Sequence, residues 1–387
     1  MAWLLVLDRL DPEQLRCSLR SLAEQTDPAW ELSVAVVGPL GPENDRVLAD
    51  ELAQLPAGQV CVVRCPPGTG RGEAAAAALA ASSAVAIALL DQGDQLAHDA
   101  VALLRGGLAE AEVTYADEDR ISPSGDLADP ALKPDWSPEL LLSTPYLGRP
   151  LAIRRALVEA AGGISDLPDG DWEHDLMLRT TERVGEVAHI AEVLCHRAGE
   201  GPTSGDSVPS AGDGAVTAAL RRRGEQAVVG PGAIPGAWRV RRQLAGRPSV
   251  SAVIPFRDGA AFLRTCVDSV TATAGEVDLE LVLVDNGSVE PETQTLVDRL
   301  AERPDVVVVR DARPFNWAAL NNGAAEIARG QVLLFLNNDI EAAQPGWLEA
   351  LVAQALRPEV GAVGARLLYP GRRVQHAGLV VGLGGAA

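Results

Sequence analysis

The chain has 387 residues, which on ordinary domain sizes means two or three domains, and 47% of them are hydrophobic, enough for sizeable cores. A formal net charge of -20, from 53 acidic residues against 33 Lys and Arg, excludes the basic footprint of a nucleic-acid binder. The same charge disfavours electrostatic docking on anionic lipid.

The N-terminal run Met1-Ala2-Trp3-Leu4-Leu5-Val6-Leu7-Asp8 lacks a basic n-region and is too short for a signal peptide. The alanine-rich stretch 74–90 is uncharged from Ala74 on but falls short of a membrane span, and its pattern predicts a helix followed by a strand. Val113-Thr114-Tyr115-Ala116-Asp117-Glu118-Asp119 reads as a strand running into acids. Asp171-Trp172-Glu173-His174-Asp175 reads as a helix start. Val193-Leu194-Cys195-His196-Arg197 reads as a further strand. Residues 198–213 are rich in Gly, Ser, Pro and acids, as exposed loops are. Helical spacing over 215–224 ends in Arg221-Arg222-Arg223-Gly224, where cations in the last turn followed by glycine form a helix stop. Residues 231–248 read as loop with a short strand at Trp238-Arg239-Val240. The five cysteines (Cys17, Cys61, Cys65, Cys195, Cys266) are scattered and odd in number, so a reducing compartment fits and no zinc spacing is present.

The densest signal lies further on. Val332-Leu333-Leu334-Phe335-Leu336 is an apolar run that ends abruptly in Asn337-Asn338-Asp339, and it predicts a parallel strand buried on both faces. Val250-Ser251-Ala252-Val253-Ile254-Pro255 leads into Arg257-Asp258-Gly259, and Leu279-Glu280-Leu281-Val282-Leu283-Val284 leads into Asp285-Asn286-Gly287-Ser288. Asn and Asp after a strand are ordinary turn residues. Three such strands in succession, with helical segments between, instead deliver acids and amides to one sheet edge, where open α/β sheets bind ligands. Acids there suit a hard divalent cation and the phosphates it carries.

The chain also repeats itself over about 250 residues, a duplication of domains rather than a short-period solenoid. Leu15-Arg16-Cys17-Ser18-Leu19-Arg20-Ser21-Leu22 matches Leu263-Arg264-Thr265-Cys266-Val267-Asp268-Ser269-Val270. Residues 30–38 match 279–287, and residues 88–94 match 334–340. Asp285 then faces Val36, and Asp339 faces Gly93, so the first copy lacks both acids at the same register; Asp91 and Asp94 flank the gap.

From residue 249 onward the motifs resemble the donor half of a family 2 glycosyltransferase, the inverting class on a nucleotide-diphosphosugar-binding fold. They are Val253-Ile254-Pro255, Val284-Asp285-Asn286-Gly287-Ser288, Phe315-Asn316-Trp317 with Asn321-Asn322, Leu336-Asn337-Asn338-Asp339 and Pro345-Gly346-Trp347-Leu348. Gln375-His376-Ala377-Gly378 resembles the branch that builds O-antigen and other cell-surface polysaccharides. The resemblance implies an α/β fold of two tandem GT-A-like, Rossmann-like domains with mostly parallel sheets: 1–200 with a degenerate donor site, a linker at 201–248, and 249–387 as an incomplete donor-binding domain. It implies a hexosyl- or rhamnosyltransferase that moves sugar from a nucleotide-diphosphosugar to a saccharide or lipid-linked saccharide. Mg²⁺ or Mn²⁺ would be held by Asp339, with Pro255, Asp258, Asp285, Asn286, Asn316, Asn321 and Asn337 on the donor. Helix capping is the competing role for Asn316 and Asn321. Residues 113–197 resemble the acceptor half, where Glu173, then Asp175, match the catalytic base. There the competing reading is a helix cap at Asp171, with Glu173 in the favourable first turn. His196 is either a diphosphate contact or structural; His189 is expected to be structural. With no membrane span in sight, a cytoplasmic enzyme touching the inner face of the membrane is expected. A noncatalytic saccharide- or partner-binding protein built from decayed transferase domains is the alternative.

Overall fold

The computed structural model describes residues 1–122, 124–165, 167, 171–198 and 213–378. The chain divides into two compact units, Met1–Val240 and Arg241–Ala387.

The first unit opens with an alternation of strands and helices: β1 (Ala2–Leu7), α1 (Pro12–Ala23), β2 (Glu31–Val37), α2 (Pro42–Leu52), β3 (Val60–Cys65), α3 (Arg71–Ala81) and β4 (Ala86–Leu90). These four strands run parallel in the order β3-β2-β1-β4. The helices begin where capping chemistry permits: the Asp11 carboxylate accepts the amides of Glu13 and Gln14, with Pro12 at the first helical position. Alternation along β1 sends Ala2, Leu4 and Val6 into one apolar layer and Trp3, Leu5 and Leu7 into the other. The sheet then continues through β5 (Gln95–Leu96), α4 (Ala100–Glu110), β6 (Val113–Ile121), β7 (Leu127–Ala131), α5 (Pro138–Ser143), β8 (Leu151–Arg154), α6 (Arg155–Ala160), α7 (Asp171–Thr181) and β9 (Ala188–Ala198). Here the pairing is mixed: β8 lies antiparallel between β4 and β6, and β9 runs parallel to β6.

After it come α8 (Gly214–Arg222), β10 (Ala227–Pro231) and β11 (Trp238–Arg242), the last two paired as a ribbon. The expected linker at 201–248 is corrected in part by these elements. Ala215, Val216, Ala219 and Leu220 of α8 are buried in the same apolar layer as Trp172 and Leu176 of α7, so the first unit extends well past residue 200. The Gly/Ser/Pro-rich part of that stretch, 199–212, lies outside the described residues. The basic triplet does serve α8's end: Arg222 and Arg223 pair with Glu182, and Gly224 takes φ +68° just past the helix.

The second unit contains β12 (Ser249–Phe256), α9 (Ala260–Ala272), β13 (Asp278–Asp285), α10 (Pro291–Ala301), β14 (Val306–Arg310), α11 (Trp317–Ala325), β15 (Val332–Phe335) and α12 (Trp347–Ala355). A small ribbon of β16 (Leu367–Leu368) and β17 (Val374–His376) follows. Its four parallel strands take the order β14-β13-β12-β15, the order of β1 to β4 in the first unit. Register agrees as well: Leu7 stands opposite Val36 at the end of one ladder, and Phe256 opposite Asp285 at the end of the other.

One expectation fails. β15 is not buried on both faces; its residues alternate, with Leu333 39% and Phe335 44% exposed. The cause is position. β15 is the edge strand among the described residues, whereas β4 has β8 along its other side and is buried throughout.

Candidate functional site

In the second unit the C-terminal ends of β12, β13 and β15 lie on one sheet edge. Asp285 closes β13 opposite Phe256, and Asn337 to Asp339 follow directly on β15, whose Phe335 stands opposite Val253. The edge is stitched together by the acids and amides the sequence singled out. The amide of Ser288 donates to Asp285 Oδ1 at 2.8 Å, leaving Oδ2 without a hydrogen-bond partner among the described residues. Asp285 itself is only 7% exposed. Asp258, at φ +54°, takes the amides of Val289 and Glu290 on Oδ1 at 2.7 and 2.9 Å. Those two amides hold its carboxyl below the usual range. Asn286 is buried and donates from Nδ2 to the carbonyls of Asp311 and Arg313, tying the loop after β13 to the loop after β14. Pro255 is buried within β12.

Asn316 caps α11, its Oδ1 accepting the Ala319 amide at 3.0 Å. Asn321 is buried in that helix; Nδ2 donates to the Trp317 carbonyl, while Oδ1 has no hydrogen-bond partner among the described residues. Asn337 and Asp339 are exposed, and Asp339 makes no hydrogen bond or ion pair with the described residues. Asp339 therefore differs from Asp258 and Asp285, whose carboxylates already serve the backbone.

Among the described residues no group of three or more His, Cys, Asp or Glu stands ready to hold a metal alone. One free carboxylate with a neighbouring amide still fits Mg²⁺ or Mn²⁺ arriving with a diphosphate, since such ions use one or two carboxylates plus phosphate oxygens and water.

The same edge in the first unit is closed by its own cations. Arg149, with a side chain only 4% exposed, grips Glu173 by both nitrogens (Nη1 to Oε2 2.6 Å, Nη2 to Oε1 2.9 Å). Its Nη2 also reaches Asp91 Oδ2 at 2.9 Å, and Arg71 donates to Asp91 Oδ1 at 2.8 Å. Burial opposes the Asp91 charge, but Arg149 and Arg71 outweigh it and keep the carboxyl below its usual range. Below them Glu118 accepts from Lys133 Nζ at 3.0 Å and from the Arg149 amide at 2.6 Å.

Gly93, at the register of Asp339, has φ +98°, and a β-carbon there would stand 2.6 Å from Ala198 Cβ. Neither flanking acid fills the gap. Asp91 is held by two arginines, and Asp94 is 2% exposed with its oxygens on the amides of Asp91 and Ala198. Asp175, two residues from Glu173 and so on another helix face, binds Arg179 and Arg222 at the seam of α7 and α8. Asp171 is the first residue of α7 rather than the residue before it. His196 Nδ1 pairs with Asp119 at 2.6 Å. His189 sits between Asp117 and Asp135 and stacks on Tyr115 at 4.7 Å, a structural role. Sequence reasoning missed Arg149 and Arg71: Leu147-Gly148-Arg149-Pro150 carries turn signals only, and nothing local announces partners 58 and 24 positions away.

Burial, and next the Asp91 charge, push the Asp94 carboxyl from 3.8 up to about 6. Between about pH 4 and 6 the folded chain therefore binds a proton that the unfolded chain does not, so this group's contribution is full below pH 4 and is lost as pH rises through 6. A shift of this size corresponds to about 3 kcal/mol. Asp94→Asn is expected to be more stable relative to the parent at pH 7 than at pH 5. Urea unfolding of both at the two pH values checks this; an equal difference at both refutes it.

The match to known proteins follows this geometry. Residues 251–377 match the model of Glycosyl transferase family 2. This stretch, about a third of the chain, carries the likeness to glycosyltransferase family 2. The family 2 segment coincides with the unit that keeps both Asp285 and Asp339. The chain is 38% identical over 382 residues to O-antigen biosynthesis protein RfbC of Myxococcus xanthus, covering 96% of this chain and 30% of that protein. It is likewise 38% identical to uncharacterized protein y4gI of Sinorhizobium fredii (strain NBRC 101917 / NGR234), over 97% of this chain and 43% of that one. It thus spans well under half the length of both relatives. Among solved structures, S. aureus TarS 1-349 in complex with UDP-GlcNAc aligns at TM-score 0.43 and 12% identity, over 54% of this chain and 62% of that one. TarS 1-349 alone aligns at TM-score 0.42 and 13% identity, over 51% and 60%. Among the described residues no helix is long and apolar enough to cross a membrane.

Proposed function

We propose that the chain is a glycosyltransferase that moves a sugar, hexose or rhamnose, from a nucleotide-diphosphate donor to a saccharide or lipid-linked saccharide during cell-surface polysaccharide synthesis. The observation that carries this reading is the coincidence of the family 2 segment with a sheet edge that carries both a buried Asp285 and an exposed Asp339 with no hydrogen bond among the described residues. The O-antigen name of the Myxococcus relative supports the polysaccharide context. Asp285 Oδ2 would accept from the base or ribose of the donor, a reading supported by the hydrogen bonds that tie the loops after β12 and β13 together. Asp339, assisted by Asn337, would hold Mg²⁺ or Mn²⁺, which when bound neutralises charge on the departing diphosphate. Inversion then requires a base for the acceptor hydroxyl. The test is incorporation of labelled sugar and Mn²⁺-dependent nucleotide binding, both lost in Asp339→Ala.

For the first unit a second reading is favoured by a specific observation: Arg149 already neutralises both Glu173 and Asp91. Both Glu173 oxygens are already engaged by that guanidinium in a two-pronged contact. We read this unit as holding saccharide or partner without performing transfer. Glu173→Gln is then expected to lower stability while leaving transfer within about threefold, whereas loss of a catalytic base costs about 10²–10⁴-fold. A rate assay on the folded variant separates the two.

A further inference from the structure

Helix α9 and its C-cap carry a polar stripe at Cys266, Ser269 and Thr273, spaced three and four residues apart and so on one face. Each member bonds to the segment that follows β15. Cys266 Sγ donates to the Asn337 carbonyl at 3.6 Å. Ser269 Oγ accepts the Ala342 amide at 3.0 Å, and Thr273 Oγ1 accepts the Trp347 indole N–H at 2.8 Å. Asp339 is exposed, so its place depends on backbone anchors on either side, and these are two of them.

The first unit repeats the arrangement on α1. There Ser18 and Ser21, with Gln25 just past the end of the helix, are the matching positions. Ser18 Oγ donates to the Asp91 carbonyl at 3.5 Å and accepts the Gly93 amide at 2.8 Å. Ser21 Oγ accepts the Leu96 amide at 3.0 Å. Gln25 donates to the Ala97 carbonyl at 2.7 Å and accepts the Val101 amide at 2.9 Å. Residues 91, 96 and 101 correspond to 337, 342 and 347 in the repeat. The contacts have thus kept their register in both units, although the side chains differ at two of three positions and the acids at 36/285 and 93/339 do not match.

We infer that the polar stripe of α9 is a staple that positions the Asn337–Asp339 loop, making Cys266 and Ser269 positioning residues for the metal-donor site. This rests on the reading of Asp339 as a metal ligand. The Cys266 thiol is buried and donates into this loop. In the first unit the serine at this position holds the loop at two points rather than one, so Cys266→Ser is expected to preserve the staple.

The test uses the full chain and two readouts. Hydrogen exchange across 337–347 in the metal-free protein is expected to speed up about five- to tenfold in Ser269→Ala and Cys266→Ala, the worth of one net hydrogen bond. Cys266→Ser should keep parental protection. Mn²⁺ affinity in the presence of UDP, followed by electron paramagnetic resonance, should weaken by a similar factor in the two alanine variants and recover in Cys266→Ser. Unchanged exchange overturns the staple. Faster exchange with unchanged Mn²⁺ affinity overturns its positioning role, provided that Asp339→Ala has lost that affinity. If Asp339→Ala binds Mn²⁺ as the parent does, the metal reading fails instead, and the positioning role for that site falls with it while exchange still decides the staple.

Discussion

Replacing Arg149 with alanine is expected to destabilise the first unit by about 3–5 kcal/mol, the cost of breaking a buried ion pair and stranding its partner. Glu173 loses both of its hydrogen bonds from a guanidinium, and Asp91 keeps only Arg71. At roughly 2–4 °C per kcal/mol for a unit of this size, the melting temperature should fall by about 6–20 °C. Arg149→Lys should recover part of this at most, because an ammonium cannot form the two-pronged contact. The double variant Arg149→Met with Glu173→Gln should be less destabilised than Arg149→Ala alone, since removing both charges strands less. Calorimetry on the three variants decides the matter: a fall below about 1 kcal/mol for Arg149→Ala would show the network to be solvated and weak.

The second large effect is on chemistry rather than stability. Asp339→Ala should leave the fold untouched, because an exposed side chain with no hydrogen bond among the described residues has little to lose. Sugar transfer should nevertheless fall by at least about a hundredfold, since charge stabilisation by a bound metal is worth several kcal/mol. Asp339→Asn should do little better: an amide oxygen keeps the shape but not the charge. The outcome that would sink the proposal is transfer within a fewfold of the parent at saturating Mn²⁺.

Much of this scaffold was legible in advance. Runs such as 250–255 and 279–284 have the length, branching and turn residues of buried parallel strands, and the repeat predicted the register that puts Val36 where Asp285 stands. The exposure of β15 was not legible, because Val332-Leu333-Leu334-Phe335-Leu336 is apolar at every position and has no period to reveal which strands flank it. The burial of α8 was hidden by its setting: a nine-residue amphipathic helix after a Gly/Ser/Pro-rich stretch looks like linker until α7 is seen beneath it. The ion network around Arg149 was invisible for a third reason. Coulomb partners come together through tertiary folding, and no local spacing encodes them.

Gly93 makes the difference between the two units hard to undo. Its backbone lies in the left-handed region, and a β-carbon there would press into Ala198 from the far strand β9. A Gly93→Asp substitution would meet strain and a clash before its carboxylate could be of any use. An acid at this register would need the backbone around it reshaped first, so local geometry locks in the contrast with Asp339 as firmly as the sequence does.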